Sequence, residues 1–358
     1  MTNIRLTTPQ GLTPREWEAW STLQLADPTL VSPYFRPEFT QAVAAVRSDV
    51  EVAILSDENE PIGFFPFQRS RLNLGKPVGG KLSDYHGLIG SWGNLTDAAE
   101  LMRACGLAGW DFDHLPTSQT PFQPYAQSTA PSRWMNLAQG YEAYVAERRA
   151  AGTEAIKKAG QSMRKLAREK GELRLEADTT STHVFQQLLA WKSEQYRRTG
   201  LADLFSYPWI RQLLEHLQAH PRPYFSTELS ALWCGDRLIA AMLSLRSRHM
   251  LHAWFPAYDP EFQQYAPGLT LFLKLAETCA DRGFTVIDLG KGDERYKLSI
   301  TTPGPSLAEG CLERASLAVF VRKGWRTTRD LWTTAVGKRT ATNAAGWLQP
   351  VRNWLAHS

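Results

Sequence analysis

The densest chemistry in this 358-residue chain lies in eight residues, Gly290-Lys-Gly-Asp-Glu-Arg-Tyr-Lys297. Two carboxylates (Asp293, Glu294), a phenol (Tyr296) and an ammonium (Lys297) follow a glycine-flexed turn there, a set suited to general acid–base work. The residues before the turn, Phe284-Thr-Val-Ile-Asp-Leu289, are short, β-branched and bounded by glycines, and predict a strand. Ligands of open α/β sheets sit at the carboxyl ends of strands, where this turn falls. The alternative is a structural ion-pair knot among Asp293, Arg295 and Lys297.

A second chemical stretch lies upstream. Tyr265-Ala-Pro-Gly268 opens a run with apolar residues at Leu269, Phe272, Leu273, Ala276 and Ala280, which predicts a helix over 269–282 with one buried face. A helix start exposes N–H groups and the positive end of the dipole, a natural seat for phosphate. Pro267 would fix the entry and Gly268 would let a pyrophosphate approach the N–H groups of Leu269, Thr270 and Leu271. The alternative is a plain turn into a core helix. Before this loop, His252-Ala-Trp-Phe-Pro-Ala-Tyr258-Asp259 begins as a strand and ends polar, and exposed strand amides there would polarise a thioester carbonyl.

Other chemistries find no support. His216 and His220 stand four apart on a helix but lack the internal glutamate and third ligand of a zinc hydrolase, so no metal is expected. There is no Gly-x-Ser-x-Gly elbow, Walker loop or Gly-x-Gly-x-x-Gly. Cys105, Cys234, Cys279 and Cys311 are far apart and read as buried free thiols.

The elements that must position these residues occur twice. A helix at 95–106 and a strand at 110–115 echo 269–289 at a constant offset of 174: Leu95-Thr96 falls on Leu269-Thr270, Cys105 on Cys279, Gly109 on Gly283 and Leu115 on Leu289. A hairpin precedes each copy, Val52 to Phe67 and Leu229 to Leu245. The first copy ends in Pro116-Thr-Ser-Gln-Thr-Pro121, without acid or lysine, so the chemistry belongs to the second. Further helices are expected over 11–26, 38–47, 139–171, 182–197 and 207–219, with strands at 173–176 and 315–321.

At 43% hydrophobic and 21% charged, the chain has material for two cores. No run reaches membrane-span length and the N-terminus lacks a signal-peptide core, so a cytoplasmic protein is expected. The net charge of +4 is uneven. Residues 147–174 carry nine Lys/Arg against four Glu, net +5, and residues 322–358 carry seven against Asp330, net +6. Both segments suit anionic partners or plain solvated helix faces. The last also holds Trp325, Trp332, Trp347 and Trp354, a mixture fit for a membrane interface or for packing on the protein's own core.

The order hairpin, His252 strand, Tyr258-Asp259, Tyr265-x-Pro-Gly268, helix, Asp288-x-Gly-x-Gly-Asp-Glu-x-Tyr-Lys297 resembles the CelD-like branch of the GNAT acyltransferases. These are tandem-GNAT proteins, similar in plan to the FemAB peptidyltransferases and often linked to bacterial exopolysaccharide production. The motifs cover about residues 180–300. The resemblance implies an α/β fold of two GNAT-like units, each a mixed, mostly antiparallel sheet flanked by helices. It implies a degenerate unit at 1–135, a basic helical linker at 136–180, a catalytic unit at 181–321 and a basic, Trp-rich helical tail at 322–358.

It further implies an acyl-thioester donor, most simply acetyl-CoA, and an amine or hydroxyl acceptor on a sugar or sugar-lipid. Tyr265, Pro267, Gly268, Leu269 and Thr270 would hold the donor, with Tyr258 and Asp259 on the substrate side. Asp293 or Glu294 would be the base, Tyr296 the acid for the departing thiolate, Lys297 the orienter of a carboxylate or phosphate, and His252 a second candidate base. The tail would bring the protein to the inner membrane surface. The usual GNAT phosphate loop has two glycines, whereas Gln264-Tyr-Ala-Pro-Gly-Leu has one, which leaves acetyl-CoA, a longer acyl-CoA, a carrier-protein thioester and an aminoacyl-tRNA open as donors. The alternatives are a FemX-like aminoacyl transferase whose 147–174 helix touches tRNA, and a non-catalytic scaffold binding a polysaccharide-synthesis partner.

Overall fold

The computed structural model describes residues 2–313, so the expected strand at 315–321 and the 322–358 tail lie outside the described residues. In chain order the elements are β1 (Asn3–Thr7), α1 (Pro14–Ala26), α2 (Pro37–Val46), β2 (Val50–Asp57), β3 (Glu60–Arg69), β4 (Leu74–Lys76) and β5 (Ile89–Gly90). Then come α3 (Ala98–Ala104), β6 (Gly109–Pro116), β7 (Ala126–Asn136), α4 (Tyr141–Ala150), α5 (Ala155–Lys170), β8 (Leu173–Glu176), α6 (Thr182–Arg198) and α7 (Pro208–Ala219). The chain continues with β9 (Ser226–Cys234), β10 (Arg237–Arg246), β11 (Met250–Tyr258), α8 (Pro267–Asp281), β12 (Val286–Lys291), α9 (Arg295–Ile300) and β13 (Thr302–Glu313).

The chain divides into two compact units. One holds the residues up to Asp27, Arg47–Thr129 and the described residues from Leu307; the other holds Pro28–Val46 and Ala130–Ser306. In the first, the sheet order is β1-β2-β3-β4-β6-β13, antiparallel except for β4 beside β6, with β5 on the edge of β3. Its apolar core joins Phe65, Phe67, Trp110 and Phe122 of the sheet and nearby loop to Leu101 and Met102 of α3. In the second, the order is β7-β12-β11-β10-β9-β8, antiparallel except for β11 beside β12. Helix α8 buries Leu271, Leu275, Ala276 and Cys279 in a core shared with Leu166 of α5 and Ile287 of β12. Each unit is thus a mixed sheet flanked by helices.

Local chemistry explains the departures from expectation. The single helix expected over 139–171 is two helices, because Gly152 (φ +78°) takes a left-handed conformation and breaks the run between α4 and α5. Strand β7 is long but was not foreseen; its sequence, rich in Ser, Thr and Gln, has no apolar alternation strong enough to mark it. Past Lys297 a further strand, Thr302–Glu313, runs to the last described residue. The repeat also has a different register. Helices α3 and α8 end alike, with left-handed Gly106 and Gly283 followed by bonds from Leu107 N to Met102 O and from Phe284 N to Cys279 O, each 2.9 Å. Gly106 and Gly283 lie 177 residues apart, three more than the identities at 174 imply.

Candidate active site

The site in the second unit begins with two strands that part. β11 and β12 run in parallel register at Met250↔Val286, Leu251↔Ile287 and His252↔Asp288, and no further. β11 continues to Tyr258, paired on its other side with β10 as far as Ala240. Its last residues therefore present an edge with no β12 partner. The parting has a local cause. Gly290 (φ +69°) and Gly292 (φ +138°) turn the end of β12 away, and the β12–β7 register shifts between Asp288 and Lys291.

Asp288 pins the fork. Fully buried, it accepts from Ser132 Oγ (2.5 Å) and from the Gly290 N–H (2.8 Å) on one oxygen, and its other oxygen stands 3.7 Å from His252 Nδ1. His252 is also fully buried, edge-on to Tyr34 at 5.1 Å. A base must reach its substrate, so the expectation for His252 does not suit its place; there it supports Asp288 and the parting of the strands.

Beyond the fork, Asp259 caps the short turn Pro260–Tyr265, accepting from the Glu261 N–H (3.0 Å) and pairing with Arg237 (2.8 Å). Ala266 then adopts a left-handed conformation (φ 51°, ψ 54°), and α8 starts at Pro267 with no side-chain cap. For a residue with a Cβ that conformation costs about 1–2 kcal/mol. Thr270, expected to offer its N–H outward, donates it to the Ala266 carbonyl at 3.1 Å. The open donors are Gly268 and Leu269, whose N–H groups meet no acceptor among the described residues. Thr270 Oγ1 is buried and likewise without a hydrogen-bond partner among the described residues. Tyr258 lines the approach, since a Cβ on Gly268 would lie 3.5 Å from its ring. Tyr265 turns the other way. It is buried and donates its hydroxyl to Glu169 Oε2 of α5 at 2.8 Å, a bond that raises its pKa, while Lys165 lies over its ring at 5.7 Å.

The turn after β12 is partly helical, because α9 begins at Arg295. Lys297 is 8% exposed, and its Nζ donates to the Lys291 carbonyl at 2.8 Å and stands 3.3 Å from Glu294 Oε2. Gly292 makes room for this arrangement: a Cβ there would fall 2.1 Å from Glu294 Oε2 and 2.9 Å from Lys297 Nζ. Asp293 is exposed and pairs with Arg133 of β7, which also donates to the Gly292 carbonyl at 3.1 Å. Tyr296 stacks on Phe272 of α8 with centroids 6.2 Å apart. Although Tyr296 is 40% exposed, desolvation by the packing around it, then the Glu294 charge, pushes its phenol up to about 12.

The structure thus gathers Asp293, Glu294, Tyr296 and Lys297 in one turn, and places Gly268, Leu269 and Tyr258 at the start of α8. The sequence reading missed three contributors. Ser132 and Arg133 sit on the unforeseen β7. Lys192, in the middle of α6, feels the charge of Lys297 and has its pKa lowered to about 8, chiefly by burial. No motif marks it; it is one lysine on an amphipathic helix.

Residues 154–298 match the acetyltransferase (GNAT) domain family, a span that runs from α5 through the Lys297 turn. No match is found among curated proteins. Among solved structures, the chain is similar to FemX, at 9% identity over 89% of this chain and 99% of that one, with a TM-score of 0.56. It is similar to the C-terminal domain (DUF2156) of a protein described as a lysylphosphatidylglycerol synthetase from Agrobacterium fabrum, at 10% over 86% and 95%, TM-score 0.52. It is also similar to a tandem GNAT protein from the clavulanic acid biosynthesis pathway, at 9% over 87% and 98%, TM-score 0.51. At such identities the likeness is one of fold: the chain has an α/β, GNAT-like architecture and carries a stretch that matches the GNAT acetyltransferase domain. Among the described residues no helix is long and apolar enough to cross a membrane.

Proposed function

We propose that the protein is an acyltransferase of the CelD-like branch, moving an acyl group, most simply acetyl, from a CoA thioester to an amine or hydroxyl of a sugar or sugar-lipid in exopolysaccharide synthesis. One observation carries the reading: β11 and β12 part at His252/Asp288 directly before a helix whose first N–H groups are open. The residues fit such a donor. The N–H groups of Gly268 and Leu269 would hold a pyrophosphate, with the helix dipole behind them. The edge of β11 that runs on past its pairing with β12 offers backbone amides to a thioester carbonyl. When bound, the donor supplies an activated acyl group.

The chain's own residues do the rest. Glu294 takes the proton of the acceptor nucleophile, because Asp293 is held by Arg133, where it fixes the turn. Lys297, anchored by the Lys291 carbonyl, fixes the position of Glu294 and presents its charge to an anionic group. Tyr296 keeps its proton at any working pH and gives a hydrogen bond to the leaving thiolate. The test is a thermal-shift screen of acyl-CoA thioesters on the full chain. A rise in Tm with acetyl-CoA or a longer homologue supports the reading, and silence from all of them removes CoA as donor.

A second reading has its own observation. Helix α5 turns Lys157, Lys158, Arg164, Lys165, Arg168 and Lys170 to solvent while Leu166 and Ala159 face the core. That basic face would suit tRNA in a FemX-like aminoacyl transfer. Salt-sensitive tRNA binding, with no response to acyl-CoA, would favour it. Contact with the inner membrane surface through residues 322–358 is a further part of the proposal, checked by sedimentation with anionic vesicles before and after removal of that segment.

A further inference from the structure

Ala266 is left-handed (φ 51°, ψ 54°) at the head of α8, where no side chain caps the helix. Its backbone joins the turn before it to the helix after it. The N–H donates to the Gln263 carbonyl and the carbonyl accepts from the Thr270 N–H, each at 3.1 Å. A strained conformation of this kind persists only where its surroundings fix both flanks. On the helix side the core does so, since Leu271, Leu275, Ala276 and Cys279 are buried in it. The turn side ends in Tyr265, which is tied to a different element. Tyr265 is 5% exposed, and its hydroxyl donates to Glu169 Oε2 of α5 at 2.8 Å. Lys165, one helical turn earlier on α5, stands over the same ring with its Nζ 5.7 Å from the centroid. Residues four apart share a helix face, so one face of α5 brackets the phenol. Moving Ala266 to an ordinary helical or extended conformation would swing Tyr265 out of that bracket or α8 out of its core.

We propose that Tyr265 is a positioning residue: bonded to Glu169, it holds Ala266 left-handed and so keeps the Gly268 and Leu269 N–H groups open for the donor's pyrophosphate. The identity of that ligand rests on the acyl-CoA reading; the tether itself rests on the Tyr265–Glu169 bond. The sequence expectation that Tyr265 holds the donor directly gives way here, because its hydroxyl is engaged by α5. A donor that fits only the left-handed form binds more weakly in proportion to the fraction of molecules that have lost it. The hydroxyl bond goes to a carboxylate, which makes it one of the stronger hydrogen bonds available to a neutral donor. The tether joins residues 96 apart in the chain, and it gives α5 a part in the site separate from its basic charge.

The test uses the full chain as wild type, Tyr265→Phe, Glu169→Ala, Glu169→Gln and the double variant of Tyr265→Phe with Glu169→Ala. Acetyl-CoA binding is measured by calorimetry, and amide hydrogen exchange over residues 263–271 is measured without ligand. Tyr265→Phe and Glu169→Ala should each weaken acetyl-CoA by about fivefold, and the double variant should be no weaker than either, because both remove one bond. Glu169→Gln keeps an acceptor oxygen and should stay within about twofold of wild type, which separates the tether from the charge of Glu169. In the ligand-free chain the Ala266 and Thr270 amides should exchange faster in the two single variants that break the bond, and at the wild-type rate in Glu169→Gln. Equal acetyl-CoA affinity in all five proteins overturns the proposal, as does unchanged exchange in Tyr265→Phe. Weakening by Tyr265→Phe but not by Glu169→Ala also overturns it and makes the hydroxyl a donor contact. If acetyl-CoA binds none of the five while the exchange pattern holds, the tether stands and the acyl-CoA reading falls.

Discussion

The same helix and strand are built twice, and the two copies differ at the start of the helix. In the first unit the start of α3 is closed: Asp97 accepts from the Ala99 N–H at 2.8 Å and is itself held by the Tyr125 hydroxyl at 2.7 Å. In the second, the start of α8 has no side-chain cap and is set up by a left-handed Ala266. After the helix both strands leave their parallel neighbour early, β6 beside β4 after two residues and β12 beside β11 after three. One copy closes the start of its helix with a side chain; the other leaves N–H donors open there. The two copies are thus told apart by which backbone groups at a helix start the chain leaves without internal partners.

The contrast can be broken in graded ways. The largest effect is expected from Lys297→Met, which removes the buried cation of the second unit's turn. kcat/KM for acyl transfer should fall by about 10²–10³, a loss of the size seen when a preorganised charge or donor is removed from an active site. Transfer would be followed by released CoA. Full activity in this variant would return the turn to a structural ion-pair knot and strengthen the scaffold reading.

Next, Ala266→Asp would give α8 the closed start that α3 has. Its carboxylate would accept from the open N–H groups and repel a phosphate there, so acyl-CoA affinity should drop by about tenfold while the Tm holds or rises. An unchanged Kd would show that the start of α8 is not the donor seat. A smaller effect, below about tenfold in kcat, is expected from Tyr296→Phe, because a thiolate leaves readily near neutral pH. With its phenol at about 12, Tyr296 should also add no alkaline limb to the pH–rate profile below pH 10.

The smallest and most selective change is Asp97→Ala, which opens the closed copy. It should cost about 1 kcal/mol in denaturant unfolding and leave transfer untouched. The Ala99 N–H, followed by the Tyr125 hydroxyl, holds the Asp97 carboxyl below its usual range. A depressed carboxylate contributes its stability above the unfolded pKa near 4 and loses it as pH falls through the lower folded value, so the gap between wild type and Asp97→Ala should close in acid.

Much of the helix-strand alternation was legible, because α1, α6, α7 and α8 carry apolar residues at helical spacing and the β2–β3 and β9–β10 hairpins are joined by two-residue turns. The turn Gly290 to Lys297 stood out by composition alone. The sequence could not show which N–H groups at α8 stay open, since that depends on the Ala266 conformation rather than on the Pro-Gly pair. Nor could it show that His252 lies buried against Asp288, or that β7 would bring Ser132 and Arg133 to the fork, the latter through contacts that join residues 156 and 160 apart in the chain. The repeat was visible in identities, but its register was set by left-handed caps whose spacing the identities misread by three.

Ala266 has a consequence for energetics. Most proteins that grip a phosphate with backbone N–H groups use glycine to reach such a conformation, and a glycine loop is floppy before its ligand arrives. An alanine held left-handed has few other shapes available once the surrounding core has formed. The ordering cost is therefore met during folding rather than at the moment of binding. On the acyl-CoA reading a single glycine in this loop is then no deficiency, because Ala266 holds the loop in shape before a ligand arrives.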